Sequence, residues 1–115
     1  MNYKGEDHEL DQLFGALANQ HRRAIVHLLA LQPAAIKQVA RHVGLSLPAI
    51  HRHLVVLEEA KLIRRKKVGR TNFLAIDRTG LRGVHEWVEE YHPGWGTDAE
   101  SLENYVAGIA RDAQS

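Results

Sequence analysis

No cysteine occurs among the 115 residues. That excludes a disulfide framework, a thiolate metal site and thiol-based redox sensing. Long apolar runs are missing as well, and no stretch approaches the ~20 residues that span a bilayer. The opening residues, MNYKGEDHEL, place no basic segment before an apolar one, so no secretory signal is expected and the cytoplasm is the expected compartment. The signatures of common catalysts are absent: no nucleophile elbow, no phosphate-cradling Gly loop, no paired-carboxylate motif. The glycines are scattered, and no Ser accompanies the eight His in a recognisable arrangement. Neither an enzyme nor a cofactor is expected. Internal repeats and low-complexity tracts are also lacking. What remains is a chain with 44% apolar residues, enough for one globular domain with a modest core.

The most informative stretch is Val39 to Leu57, VARHVGLSLPAIHRHLVVL. Val39, Ala40 and Val43 recur at helical spacing. Gly44 follows, where a helix end favours a residue free to take positive φ. Ser46 can cap a second helix, and Pro48 sits in its first turn, where a missing N–H costs nothing. Ile50, Leu54 and Leu57 line the inner face of that helix, leaving Ala49, His51, Arg52 and His53 for the outer one. This is the pattern of a helix-turn-helix, whose second helix enters the DNA major groove. An ordinary helical hairpin has the same local spacing.

Charge separates the two readings. The net charge of the chain is only +1, but it is unevenly spread. Residues 1–36 hold three Lys/Arg and four Asp/Glu, net −1. Residues 37–78 hold ten Lys/Arg and three Asp/Glu, net +7. Residues 79–115 hold two Lys/Arg and seven Asp/Glu, net −5. The positive charge coincides with the motif, as a phosphate-binding face requires.

The rest of the chain frames this centre. Residues 7–18 predict a helix capped by Asp7, with Leu10, Leu13, Phe14 and Leu17 on one stripe, packed on the domain's own core or on a second copy. Asn19 can cap a helix over 20–31, with Ile25, Leu28 and Leu29 inward. Arg22 and Arg23 fall in its first turn, where the helix dipole disfavours cations; a phosphate contact and plain solvent exposure both account for them. Residues 34–43 and 47–60 form the motif, and Val55 and Val56 widen the second helix's apolar face. Residues 62–76, LIRRKKVGRTNFLAI, read as a β-hairpin turning at Gly69. Arg64, Arg65, Lys66, Lys67 and Arg70 crowd its first strand and tip, more than edge protection requires. A basic hairpin directly after a helix-turn-helix is a wing. Thr79 can cap a helix over 80–92 with Leu81, Val84, Val88 and Tyr91 at helical intervals and Trp87 beside them. Thr97 with Glu100 is a capping box. It opens a last helix over 98–112 bearing Leu102, Tyr105, Val106 and Ile109.

The expected fold is thus mainly α with a small β-hairpin: a single winged helix-turn-helix domain over 1–115. Its parts are an N-terminal dimerisation helix (1–18), the motif (34–60), the wing (61–77) and C-terminal dimerisation helices (79–112). The terminal helices carry more apolar face than so small a domain covers, so a homodimer is expected. Its interface candidates are Leu10, Leu13, Phe14, Leu81, Val84, Val88, Leu102, Tyr105, Val106 and Ile109.

LFGALANQHRRAIVHLLA, VARHVGLSLPAIHRHLVVLEEAKLI and KKVGRTNFLAI together resemble the ArsR-type winged helix-turn-helix repressors of bacteria. His53-Leu54, Leu57-Glu58-Glu59-Ala60 and Gly69-Arg70 are the most specific pieces. The resemblance implies a homodimeric transcriptional regulator that pairs through its first helix and the helices after the wing. Many members release DNA on binding a metal ion or another signal. Gln20-His21 replaces the family's frequent Pro-Thr, and His51 replaces a common Ser. The Cys-containing metal motif has no counterpart. Asp77 matches the Asp of a second family metal site, but Thr79 stands where its first His is expected.

The expected partners are double-stranded DNA, a second copy of the chain and an effector of unidentified chemistry, with no membrane. Arg52 is the leading base or phosphate contact. Ser46, Pro48, Ala49, His51 and His53 are further DNA-binding candidates on its helix, and Lys67, Arg70, Arg64 and Lys66 supply the wing. His53 borders the inner face and reads as mainly structural. His85, Glu89 and His92, at i, i+4 and i+7, share a helical face and suit zinc or nickel, which makes a metal-responsive repressor one alternative. Solvated polar residues beside the apolar stripe are the plainer account of them. A winged-helix module serving protein partners without DNA is a second alternative, disfavoured by the +7 segment. Trp87 and Trp95 suit an effector pocket, or core and dimer contacts.

Overall fold

In the computed structural model, residues 3–91 and 98–114 are described. The chain order is α1 (Tyr3–Leu17), α2 (Gln20–Leu31), β1 (Ala34–Ala35), α3 (Ile36–Val43), α4 (Leu47–Glu59), β2 (Ile63–Val68), β3 (Thr71–Ile76), α5 (Arg78–Glu90) and α6 (Asp98–Gln114). Local chemistry sets most boundaries. The Asn19 side chain accepts from the His21 and Arg22 N–H groups and starts α2. Gly44, at φ 78°, ends α3, and the Leu45 N–H reaches back to Ala40 O at 3.1 Å. Ser46 caps α4 with Pro48 in its first turn.

Some boundaries differ from expectation. Helix α1 begins at Tyr3, so Asp7 lies inside it. Residues 34–35 are not helical; they pair antiparallel with β3 as Ala34 opposite Leu74 and Ala35 opposite Phe73. The wing is therefore the larger part of a three-stranded sheet ordered β1-β3-β2. Helix α5 starts at Arg78 and is capped by Asp77, not Thr79. The Asp77 carboxylate accepts the Thr79 N–H at 3.0 Å. That bond, with the charges of Arg64 and Lys61, holds its pKa below the ordinary value despite some desolvation. His92, Trp95 and Thr97 lie outside the described residues.

One core joins these pieces. Ile25 and Leu29 of α2, Val39 of α3, Ile50, Leu54 and Leu57 of α4, and Leu62, Ile63 and Leu74 of the wing are all essentially inaccessible to solvent. Burying each such side chain contributes about 1.5–3 kcal/mol. Leu13 and Ala16 of α1 join the same cluster, so α1 packs on its own domain.

Helix α4 ends in a Schellman motif: Leu62 N–H to Leu57 O and Lys61 N–H to Glu58 O, both 3.0 Å, with Lys61 at φ 58°. The Lys61 carbonyl then accepts the Gly80 N–H at 2.8 Å. A Cβ at residue 80 would meet Ala60 O and Lys61 O at 2.7 Å and Leu13 Cδ2 at 2.8 Å. Only glycine lets α5 seat this closely against the turn that leads into the wing.

Candidate nucleic-acid interface

The rotation of α4 about its axis is fixed by the three residues it buries. With Ile50, Leu54 and Leu57 inward, Leu47, Pro48, His51, Arg52 and Val55 are exposed and Ala49 is half-buried. Ser46 is also exposed, although its Oγ accepts the Ala49 N–H at 3.3 Å. Val56 is half-buried, whereas Val55 stays outside the packed face. The exposed strip is the one that a major groove would receive.

Beside it runs a cleft of about 220 Å³ lined by Lys37, Leu47, His51, Arg70, Thr71 and Asn72. It brings together the start of α3, the front of α4 and the wing. Lys37 has no place among the residues expected from sequence. Its signal was weak: one cation directly after the buried Ile36.

The five wing cations divide by strand alternation. Ile63 is buried, so Arg65 points inward too. There Arg65 Nη2 donates to Glu58 Oε1 at 2.6 Å, linking β2 to the end of α4. Arg65 Nε is buried without a protein partner. Arg64 and Lys66 occupy the opposite face, on rungs facing Ala75 and Phe73. Lys67 is exposed on the rung with Asn72, and Arg70 lies in the turn beside Gly69, whose φ is 62°.

His53 does not face outward with Arg52. It is half-buried, with Nδ1 3.3 Å from Arg22 Nη1 and its ring 5.7 Å from that of His21. Burial lowers its pKa, and the charges of Arg22, His21 and Arg52 add to the shift. A neutral ring can accept from Arg22, which fixes the proton on Nε2. Arg22 also donates from Nε to Ala16 O (2.7 Å) and from Nη2 to Gly15 O (3.1 Å), while Arg23 donates to Leu17 O (2.8 Å). The two cations therefore close the C-terminus of α1, where orphan carbonyls and the dipole favour positive charge. Neither a phosphate nor solvent is needed to explain them.

The terminal helices look different. Leu13 is covered by its own chain, and Leu10, Leu81 and Val84 are half-buried against the core. Phe14, Val88, Leu102, Tyr105, Val106 and Ile109 remain exposed. Trp87 meets Phe14 edge-on at 5.3 Å and lies tilted against Tyr91 at 4.9 Å, a partly open aromatic cluster bridging α1 and α5. His85 Nε2 and Glu89 Oε1 stand 3.7 Å apart on an exposed face. No third potential ligand joins them among the described residues, and no described helix is long and apolar enough to cross a membrane.

Known proteins share this arrangement. A helix-turn-helix domain family profile matches residues 17–66. The chain is 36% identical over 81 residues to the HTH-type transcriptional regulator Rv2034 of Mycobacterium tuberculosis, covering 70% of this chain and 76% of that one. It is 27% identical over 79 residues to the transcriptional repressor SdpR of Bacillus subtilis, covering 69% and 88%. Its fold matches the crystal structure of the ArsR family transcriptional regulator RHA00566 with a TM-score of 0.69 and 32% identity, covering 74% and 88%. The chain belongs to the ArsR family of winged helix-turn-helix transcriptional regulators, and its chemistry is DNA binding rather than catalysis.

Proposed function

We propose that two copies of this chain pair through their terminal helices and repress transcription from a palindromic operator, each placing α4 in the major groove. The observation that carries this reading is the cleft where Lys37, His51 and Arg70 flank the exposed front of α4. Three elements there offer side chains to one strip of nucleic acid. Arg52 reaches a guanine edge or a phosphate, and Lys37 and Arg70 hold the backbone on either side. Arg64, Lys66 and Lys67 add to the field of the wing.

Pairing is supported by the apolar surface of α5 and α6. Tyr91, Leu102 and Tyr105 are each more than 60% exposed. A second copy would cover them by two-fold symmetry, which a palindrome mirrors. The SdpR relative is a repressor, which supports the sign of the regulation.

Fluorescence anisotropy of the purified protein on its own upstream DNA, against scrambled DNA and across a salt series, tests the reading. Tight, salt-steep binding to the native sequence alone is expected. Arg52→Ala should weaken it by about 1–3 kcal/mol, the value of one bidentate contact. Arg70→Ala should lower the salt slope by about 1. Equal, weak binding to both DNAs would reject an operator in that region.

A further inference from the structure

Three arginines from two elements surround a hollow that the DNA-reading strip does not use. Arg64 comes from β2, and Arg78 and Arg82 come from successive turns of α5. With Leu31 and Pro33 they line an open hollow of about 480 Å³, bounded by the end of α2, the base of the wing and the start of α5. Arg64 is on the sheet face opposite Arg65, so the hollow lies behind the wing relative to the Glu58 contact on α4. Among the described residues, none of the three guanidinium groups makes an ion pair or a hydrogen bond with the chain. The single carboxylate in the lining, Asp77, is engaged at the Thr79 N–H and feels the charge of Arg64. The lining therefore keeps an excess of two positive charges. Like charges four residues apart on a helix repel, yet Arg78 and Arg82 both border this space. A second hollow of about 530 Å³ shares Pro33, Arg64 and Ala75 with the first and adds Lys66 and Phe73.

We propose that this hollow binds a small organic polyanion carrying two or more carboxylate or phosphate groups. Planar guanidinium forks match both groups bidentately. The volume falls in the range of small-molecule sites. Several cations with one engaged carboxylate call for more than one negative group on the ligand. Leu31, Pro33 and Ala75 give its carbon skeleton an apolar wall. The site connects the base of the wing to α5, the two elements that join DNA reading to the terminal helices.

Isothermal titration of the intact chain with citrate and with pyrophosphate, at ionic strength held constant with sodium chloride, tests this. Saturable binding of at least one probe, one molecule per chain, is expected, and the tighter probe distinguishes a carboxylate from a phosphate ligand. The double variant Arg78→Gln with Arg82→Gln should weaken that binding by about tenfold or more, as loss of charge-assisted bonds requires. Arg64→Gln, on a different element, should weaken it in the same direction, which guards against a folding defect in α5. Operator affinity should survive the double substitution nearly unchanged. Absence of binding by both probes, or equal binding by all variants, overturns the proposal. So does a parallel loss of operator affinity, which would assign these arginines to duplex phosphates. The probe titrations contain no DNA, so they stand whether or not the operator reading holds.

Discussion

From α2 to β3 the chain covers most of its apolar side chains, Leu31, Leu47, Val55, Val68 and Phe73 apart; in α5 and α6 it leaves many of them bare. Leu54 of α4 has no exposed surface, whereas Leu102 of α6 is 64% exposed. The two leucines are chemically identical and differ only in what is packed on them. The first region holds most of the described core. In the second, α5 packs through Leu81 and Val84, whereas α6 is amphipathic and contributes no residue to the described core. The radius of gyration of 20.4 Å shows the same division, since a compact domain of this length has about 13 Å. The proposed DNA-reading strip and the proposed pairing surface therefore lie on separate elements, joined through α1 and the start of α5.

The sharpest way to break this contrast is to truncate one leucine on each side. Leu54→Ala should lower the free energy of unfolding by about 2–5 kcal/mol through lost burial and a cavity. Leu102→Ala should leave urea unfolding of dilute protein nearly unchanged. The same substitution should shift sedimentation of concentrated protein toward the monomer. Equal destabilisation by both would mean that α6 packs on its own chain.

Two glycines give a second pair. Gly80→Ala forces a methyl against two backbone carbonyls that cannot rotate away. It should cost about 1–3 kcal/mol, as overpacking does. At Gly15 of α1 nothing lies within 4 Å of the added Cβ, and Gly15→Ala should stabilise by up to about 1 kcal/mol. Chemical denaturation of both variants checks the signs; a stable Gly80→Ala would remove the close seat of α5.

The smallest effect expected is a pH dependence. His53 has a lowered pKa in the folded protein, so the unfolded chain binds its proton more readily. Stability from this group is fully present above the ordinary value of 6.5. It declines as pH falls below that value toward the lower folded one. His53→Gln should flatten part of the slope of thermal midpoint against pH below 6.5. An unchanged slope would exclude the ring from the Arg22 network.

Features set by neighbouring residues could be read directly from the chain. Gly44, Ser46 and Gly69 act on bonds a few positions away, and Ile50, Leu54 and Leu57 declare their face by periodicity. What escaped depends on partners far along the chain. Ala34 and Ala35 have little strand preference and become β1 only because β3 pairs with them. Arg22 and Arg23 fit a phosphate equally well until the end of α1 is seen beside them. Asp77 and Thr79 are both good caps two residues apart, and periodicity alone does not choose between them. The inward aim of Arg65 was available in principle, since it follows the buried Ile63 by two. A run of four cations hid that alternation. Of the proposed interface, the exposure of Arg52 and of the wing tip followed from spacing, but the place of Lys37 beside them did not.

The pairing of β1 with β3 has a mechanical consequence. It pins the wing at Leu74 and Phe73 against the start of the recognition motif. Beyond those rungs only Lys67 with Asn72 and Val68 with Thr71 continue to the turn. The wing is thus a cantilever clamped at its root, with a free end two rungs long. Residues added in pairs at Gly69 would extend its reach by about 3.3 Å each per strand without moving α4. A longer or shorter tip would therefore change the reach of the wing while α4 stays where the core holds it.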